Sequence, residues 1–200
     1  MNEERYLKWD ARFLALAELV AGWSKDPRRK VGAVIVRPDM SVASVGFNGF
    51  PSRMLDRGER YSNQESKRSR IVHAEINALL FARERVVGCT LYTWPYGSCD
   101  RCAVQLVQAG IGHVVFPVAA PHDASPEGAL MRAKAREYFL EAGVGIRWKE
   151  PAAPYPRSSE GEPTAADLDA VAEEEKQRRA TIVGDSLASL AFGGTPFKCE

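Results

Sequence analysis

Three side chains that bind metals occur at a spacing suited to one ion: His73 in His73-Ala74-Glu75, and Cys99 and Cys102 in Cys99-Asp100-Arg101-Cys102. One His and two Cys give zinc three protein ligands. The fourth tetrahedral position is left for water, which is the pattern of a catalytic rather than a structural site. Zinc lowers the pKa of its water toward ~7, so hydroxide is available at neutral pH. A nucleophile made this way needs a proton shuttle, and Glu75 is placed to be one.

Each half of this pattern is weak alone. His-x-Glu arises by chance, and Cys-x-x-Cys also suits a redox pair or two packed thiols. The surrounding order favours zinc over both. His73 opens an apolar helical run (Ile76, Leu79, Leu80), and Cys99 and Cys102 open another (Ala103, Leu106, Val107). Ligands at helix N-termini meet free N–H groups and a helix dipole that favour thiolate and hydroxide.

The elements that must position these residues follow from periodicity. Tyr6, Trp9, Phe13, Leu16, Leu19, Val20 and Trp23 recur at helical spacing, which predicts an amphipathic helix over 5–23 with its aromatics in the core. Val31 to Val36 is a buried β-branched strand, and Val42 to Phe47 pairs with it as an antiparallel hairpin. Residues 48–71 have no clean period and predict a long functional loop. A helix from His73 to about Arg85 follows, then a strand over 90–94 that delivers the chain to the Cys pair. The helix from Cys99 stops at Gly110. A strand over 113–116, a helix over 126–142 and a fifth strand over 144–148 complete the series.

The order is α-β-β-α-β-α-β-α-β. Right-handed crossovers should make the last three strands parallel. The expected fold is α/β, a three-layer α/β/α sandwich with a five-stranded mixed sheet. The site would lie where the two ligand-bearing helices meet, next to strand ends.

Composition narrows the class. The 200 residues suit one domain with an extension, and 45% apolar residues suffice for a core. A net charge of +1 argues against a polynucleotide-binding surface. Four Cys, two of them committed to metal, make no disulfide framework, so the reducing cytoplasm is the expected location. No apolar run is long enough to span a membrane, and no signal peptide is evident. Residues 1–150 read as the zinc domain and 151–163, rich in Pro, Ser, Gly and Glu, as a linker. Residues 164–200 read as a marginal helix and an apolar tail that is either disordered or docked in an oligomer.

Several stretches together resemble the deoxycytidylate (dCMP) deaminases of the zinc-dependent cytidine deaminase superfamily. They are Ser24-Lys25-Asp26-Pro27, Val31-Gly32-Ala33-Val34-Ile35-Val36, Gly46-Phe47-Asn48-Gly49-Phe50-Pro51, His73-Ala74-Glu75-Ile76-Asn77-Ala78, and Cys102-Ala103 through Gln108-Ala109-Gly110-Ile111. The His-x-Glu and Cys-x-x-Cys motif belongs to the whole group of zinc nucleobase deaminases. The Ser-Lys-Asp-Pro and Phe-Asn-Gly-Phe-Pro stretches are more specific to the deoxycytidylate branch. The resemblance implies hydrolysis of dCMP to dUMP with Zn2+ as cofactor, Glu75 as the proton carrier, and His73, Cys99 and Cys102 as ligands. It further implies that Asn48 orients the sugar, that Ser24 and Lys25 lie near the phosphate, and that the chain forms a homo-oligomer. One position departs from the family pattern: Ser98 stands where a Pro usually precedes the first Cys.

Three alternatives compete with dCMP. A base-modified dCMP is compatible with the altered loop before Cys99. A deaminase of cytosine or adenine in a polynucleotide would use aromatics such as Tyr61, Trp94 and Tyr96, but the near-neutral charge counts against it. A non-catalytic zinc module that binds partners has no use for Glu75.

Overall fold

The computed structural model describes residues 3–55, 59–118 and 126–150. The expected linker, helix and tail over 151–200 lie outside the described residues. In chain order the elements are α1 (Glu3–Ala21), β1 (Gly32–Val36), β2 (Val42–Phe47), α2 (Glu59–Ser62), α3 (Gln64–Arg68), α4 (Ala74–Phe81), β3 (Thr90–Trp94), α5 (Asp100–Ala109), β4 (His113–Pro117), α6 (Pro126–Glu141) and β5 (Gly145–Lys149).

The five strands form one sheet in the order β2-β1-β3-β4-β5. β1 is antiparallel to both β2 and β3, with Gly32 opposite Phe47 on one side and Trp94 on the other. β3, β4 and β5 are parallel, as the helical crossovers between them require. β1 is buried along its whole length because both faces of the sheet are covered. Ala33 and Ile35 face one layer, with Ala74, Ala78, Cys102, Leu106 and Phe139 from α4, α5 and α6. Val34 and Val36 face the other, with Phe13, Leu14, Ala17 and Val20 from α1. The three-layer α/β/α sandwich with a mixed five-stranded sheet is therefore the observed fold.

Two glycines set how close the helices come. A Cβ on Gly32 would lie 2.1 Å from the Ala17 carbonyl oxygen of α1, and one on Gly46 would lie 2.3 Å from the Ala78 nitrogen of α4. Any side chain there would force backbone apart. Gly46 thus lets α4 rest directly on β2, which fixes the height of its N-terminus, where His73 and Glu75 sit.

Three local expectations change. In α1 the core face is Phe13, Leu14, Ala17 and Val20, while Leu19 and Trp23 are 60% and 53% exposed. Trp23 lies beyond the helix end and meets Phe47 edge-on at 6.2 Å. α4 stops at Phe81, four residues short of the expected end, and Leu80 and Phe81 face solvent. Residues 48–71 are not one irregular loop, since they contain the short helices α2 and α3. Helices of this length are marginal alone. Here an Asn63 side-chain cap on Ser66, a bridge between Gly49 and Val72, and a Phe50–Tyr61 stack at 4.5 Å hold them. Among the described residues, no helix is long and apolar enough to cross a membrane.

Candidate active site and metal centre

α4 and α5 each begin at one of the candidate ligands: His73 caps α4 and Cys99 caps α5. Both have extended backbone dihedrals, and neither spends its side chain on a capping bond. Cys102 lies in the first turn of α5. The Nδ1 atom of His73 is 3.5 Å from Sγ of Cys99 and 3.3 Å from Sγ of Cys102. Tetrahedral zinc with ordinary Zn–N and Zn–S bonds holds N and S about 3.6 Å apart. The donor set and its spacing therefore fit zinc. Among the described residues this is the group of His, Cys, Asp and Glu side chains close enough to hold an ion, with all donor atoms within 4.8 Å of one another.

The three groups share protons in a way that suits metal binding. The Cys99 thiol is pulled down to about 4, first by its hydrogen bond with Cys102 and then by that with His73. His73 is raised to about 9, chiefly by its contact with Cys99 and further by the charge of Glu75. Cys102 is pushed up by the same Cys99 contact and by burial. One thiolate is thus preformed, and a zinc ion would displace the remaining protons.

Glu75 follows one residue behind the start of α4 and is only 4% exposed. Burial raises its pKa, partly offset by the charge of His73. The Ser98 hydroxyl also lowers it, but Ser98 Oγ makes no hydrogen bond among the described residues.

These residues lie in a cavity of about 710 Å³ lined by His73, Glu75, Cys99 and Cys102 together with Asn48, Tyr96, Met131 and Arg132. Its other walls include Asp26, Arg29, Lys67, Arg68 and Arg101. Asn48 lines the cavity. Its amide is also tied into the framework: Oδ1 accepts from the Val31 nitrogen at 2.8 Å, and Nδ2 donates to the Arg29 carbonyl at 2.8 Å and to Asp26 Oδ2 at 3.3 Å.

Ser24 and Lys25 do not line the cavity. Ser24 is buried; its hydroxyl donates to the Asn48 carbonyl at 2.8 Å and accepts from the Asp26 nitrogen. It therefore stabilises the turn beneath Asn48 and has no proton left for a phosphate. Lys25 is exposed. Sequence reasoning missed Asp26, which is fully buried and ion-paired to Lys67 Nζ at 2.5 Å. It also missed Arg132 over the ring of Tyr96 at 5.6 Å. The Asp-Pro turn gives a local hint of the first, whereas the second joins elements distant in sequence.

The sandwich and its site define a class: an α/β/α domain with a His/Cys/Cys metal centre and a buried acid at the base of an open cavity. Residues 7–118 match the family model described as the cytidine and deoxycytidylate deaminase zinc-binding region, and the chain belongs to that family. An uncharacterised deaminase of Aliivibrio fischeri is 38% identical over 141 residues, covering 70% of this chain and 93% of that protein. Human deoxycytidylate deaminase is 35% identical over 152 residues, covering 73% and 82%. The dCMP deaminase of cyanophage S-TIM5, solved with dCMP and dUMP, superposes with a TM-score of 0.54 at 23% identity, covering 74% of this chain and 98% of that one, which is a likeness of fold.

Proposed function

We propose that this protein hydrolyses dCMP to dUMP and ammonia. The observation that carries the reading is the buried Glu75 carboxylate beside the His73, Cys99 and Cys102 donors at the base of a nucleotide-sized cavity. The human relative's name, deoxycytidylate deaminase, supports dCMP as the substrate.

His73, Cys99 and Cys102 would hold the zinc. When bound, zinc supplies Lewis acidity and makes hydroxide accessible near neutral pH. Glu75 takes a proton from the attacking water and delivers it to N3 of the cytosine ring as the C4–O bond forms. It then carries the remaining proton of the C4 hydroxyl to the amine, so that C4=O forms as the C4–N bond breaks and ammonia leaves. Its raised pKa brings it nearer the range in which a carboxyl group both accepts and returns a proton. Asn48 faces the sugar. Ser24 acts through Asn48, by holding its carbonyl.

Residues 1–150 form the catalytic domain, because all five strands and both core clusters lie within them. The chain associates with copies of itself, a reading supported by Leu80 and Phe81, 70% and 66% exposed at the end of α4. A reducing compartment, the cytoplasm, suits a centre built on free Cys99 and Cys102.

The test is ammonia release by zinc-loaded protein from dCMP, dCTP, cytidine and single-stranded DNA. The expected result is fastest release from dCMP. Preference for single-stranded DNA would assign the cavity to polynucleotides instead.

A further inference from the structure

A nucleotide pocket needs a cation for the phosphate, and the cavity wall offers Arg29, Lys67, Arg68, Arg101 and Arg132. Most of these are committed or exposed. Lys67 is neutralised by the buried Asp26, and Arg68 faces Glu127 at 3.7 Å. Arg101 and Arg29 are exposed side chains.

Arg132 is different. It is half-buried on α6, and among the described residues no carboxylate pairs with it. Its guanidinium lies over the face of Tyr96, with Cζ 5.6 Å from the ring centroid. Tyr96 is itself anchored, because the Thr93 hydroxyl, on a fully buried residue of β3, donates to the Tyr96 carbonyl at 2.8 Å. The sheet therefore holds the loop, the loop holds the ring, and the ring holds the cation. A guanidinium fixed in this way loses little freedom on binding and keeps its fork of donors available for a phosphate. Tyr96 and Arg132 both line the cavity that contains Glu75 and the metal donors.

We propose that Arg132, braced on Tyr96, binds the 5′-phosphate of the substrate and is the residue that separates dCMP from deoxycytidine. This deepens the dCMP reading above and rests on it. It moves phosphate recognition away from Lys25 and onto α6.

The experiment compares kcat/KM for dCMP and deoxycytidine at one ionic strength in the zinc-loaded wild type, Arg132→Ala, Arg132→Lys and Tyr96→Leu. Arg132→Ala should lower the dCMP value roughly ten- to a hundredfold and leave deoxycytidine within about threefold, since a charge-assisted contact is lost from one substrate only. Arg132→Lys should recover part of the loss, because the charge returns without the bidentate fork. Tyr96→Leu should fall between wild type and Arg132→Ala. An equal loss on both substrates, or an unchanged preference for dCMP in Arg132→Ala, overturns the assignment to Arg132 while the dCMP reading stands. A wild type with no preference for dCMP refutes the dCMP reading itself. Arg132→Lys and Arg132→Gln give the same comparison if the alanine variant folds poorly, with zinc content and circular dichroism as the check on folding.

Discussion

Lys67 Nζ lies 2.5 Å from Asp26 Oδ2, and both side chains are withdrawn from solvent. The same carboxylate accepts from the backbone nitrogens of Arg28 and Arg29 at 3.0 and 3.1 Å. Asp26 also meets the amide of Asn48. One buried charge therefore ties the turn after α1, the strand exit at Asn48 and the helix α3 into a single wall of the cavity.

Removing one partner of a buried ion pair leaves the other charge uncompensated. Lys67→Met should destabilise the fold by about 3 kcal/mol, read as a shift in chemical denaturation midpoint. Burial alone would raise the Asp26 carboxyl above its ordinary 3.8, but Lys67 and the Arg28 and Arg29 amides more than offset this and hold it below. A carboxyl with a depressed folded pKa contributes stability that is complete above the unfolded value and lost as pH falls through the folded one. Wild-type stability should thus decline below about pH 4, and Lys67→Met should show a smaller decline. Equal acid sensitivity in the two proteins would remove this pair from the account.

The metal centre predicts a definite order of thiol reactivity after zinc is stripped by a chelator. Cys99 is half-buried with its pKa drawn down to about 4, whereas Cys102 is buried and pushed up, and burial raises Cys89 as well. Iodoacetamide at neutral pH should label Cys99 before Cys102 and Cys89, and added zinc should protect it. Peptide mass mapping reads the order. Faster labelling of Cys89 would contradict the shared-proton arrangement.

Much of this was legible in the sequence, for identifiable physical reasons. β1 is read from its unbroken β-branched run because both its faces are covered. The ligands are read from their position at the starts of two apolar periods. α2 and α3 were not legible, since helices of 4 and 5 residues span little more than one turn and carry no period. Their existence depends on Lys67 finding Asp26 and Tyr61 finding Phe50 across the chain. The inward turn of Ser24 is likewise decided by Asn48, 24 residues away. Leu80 and Leu19 fit helical spacing but face solvent, because helix ends and short helices expose residues that periodicity alone assigns to the core.

The exposed end of α4 bears on assembly. Leu80→Lys combined with Phe81→Lys should lower the mass measured by multi-angle light scattering while leaving zinc content unchanged. An unchanged mass would show that association, if present, uses another face.

Truncation after Glu150 should leave a folded domain with its zinc, because the described core runs from Phe13 to Val144. Circular dichroism and metal analysis check this. An insoluble or zinc-free fragment would show that residues 151–200 are part of the fold.

The central claim is that Glu75 moves protons for a zinc centre made by His73, Cys99 and Cys102, with dCMP as substrate. The most direct measurement is dUMP formation from dCMP by zinc-loaded wild type and Glu75→Gln, with zinc quantified in the same samples. The account predicts turnover by the wild type, about one zinc per chain in both proteins, and a loss of roughly 10²- to 10⁴-fold in Glu75→Gln. A wild type that forms no dUMP, or a zinc-replete Glu75→Gln that keeps the wild-type rate, would contradict it.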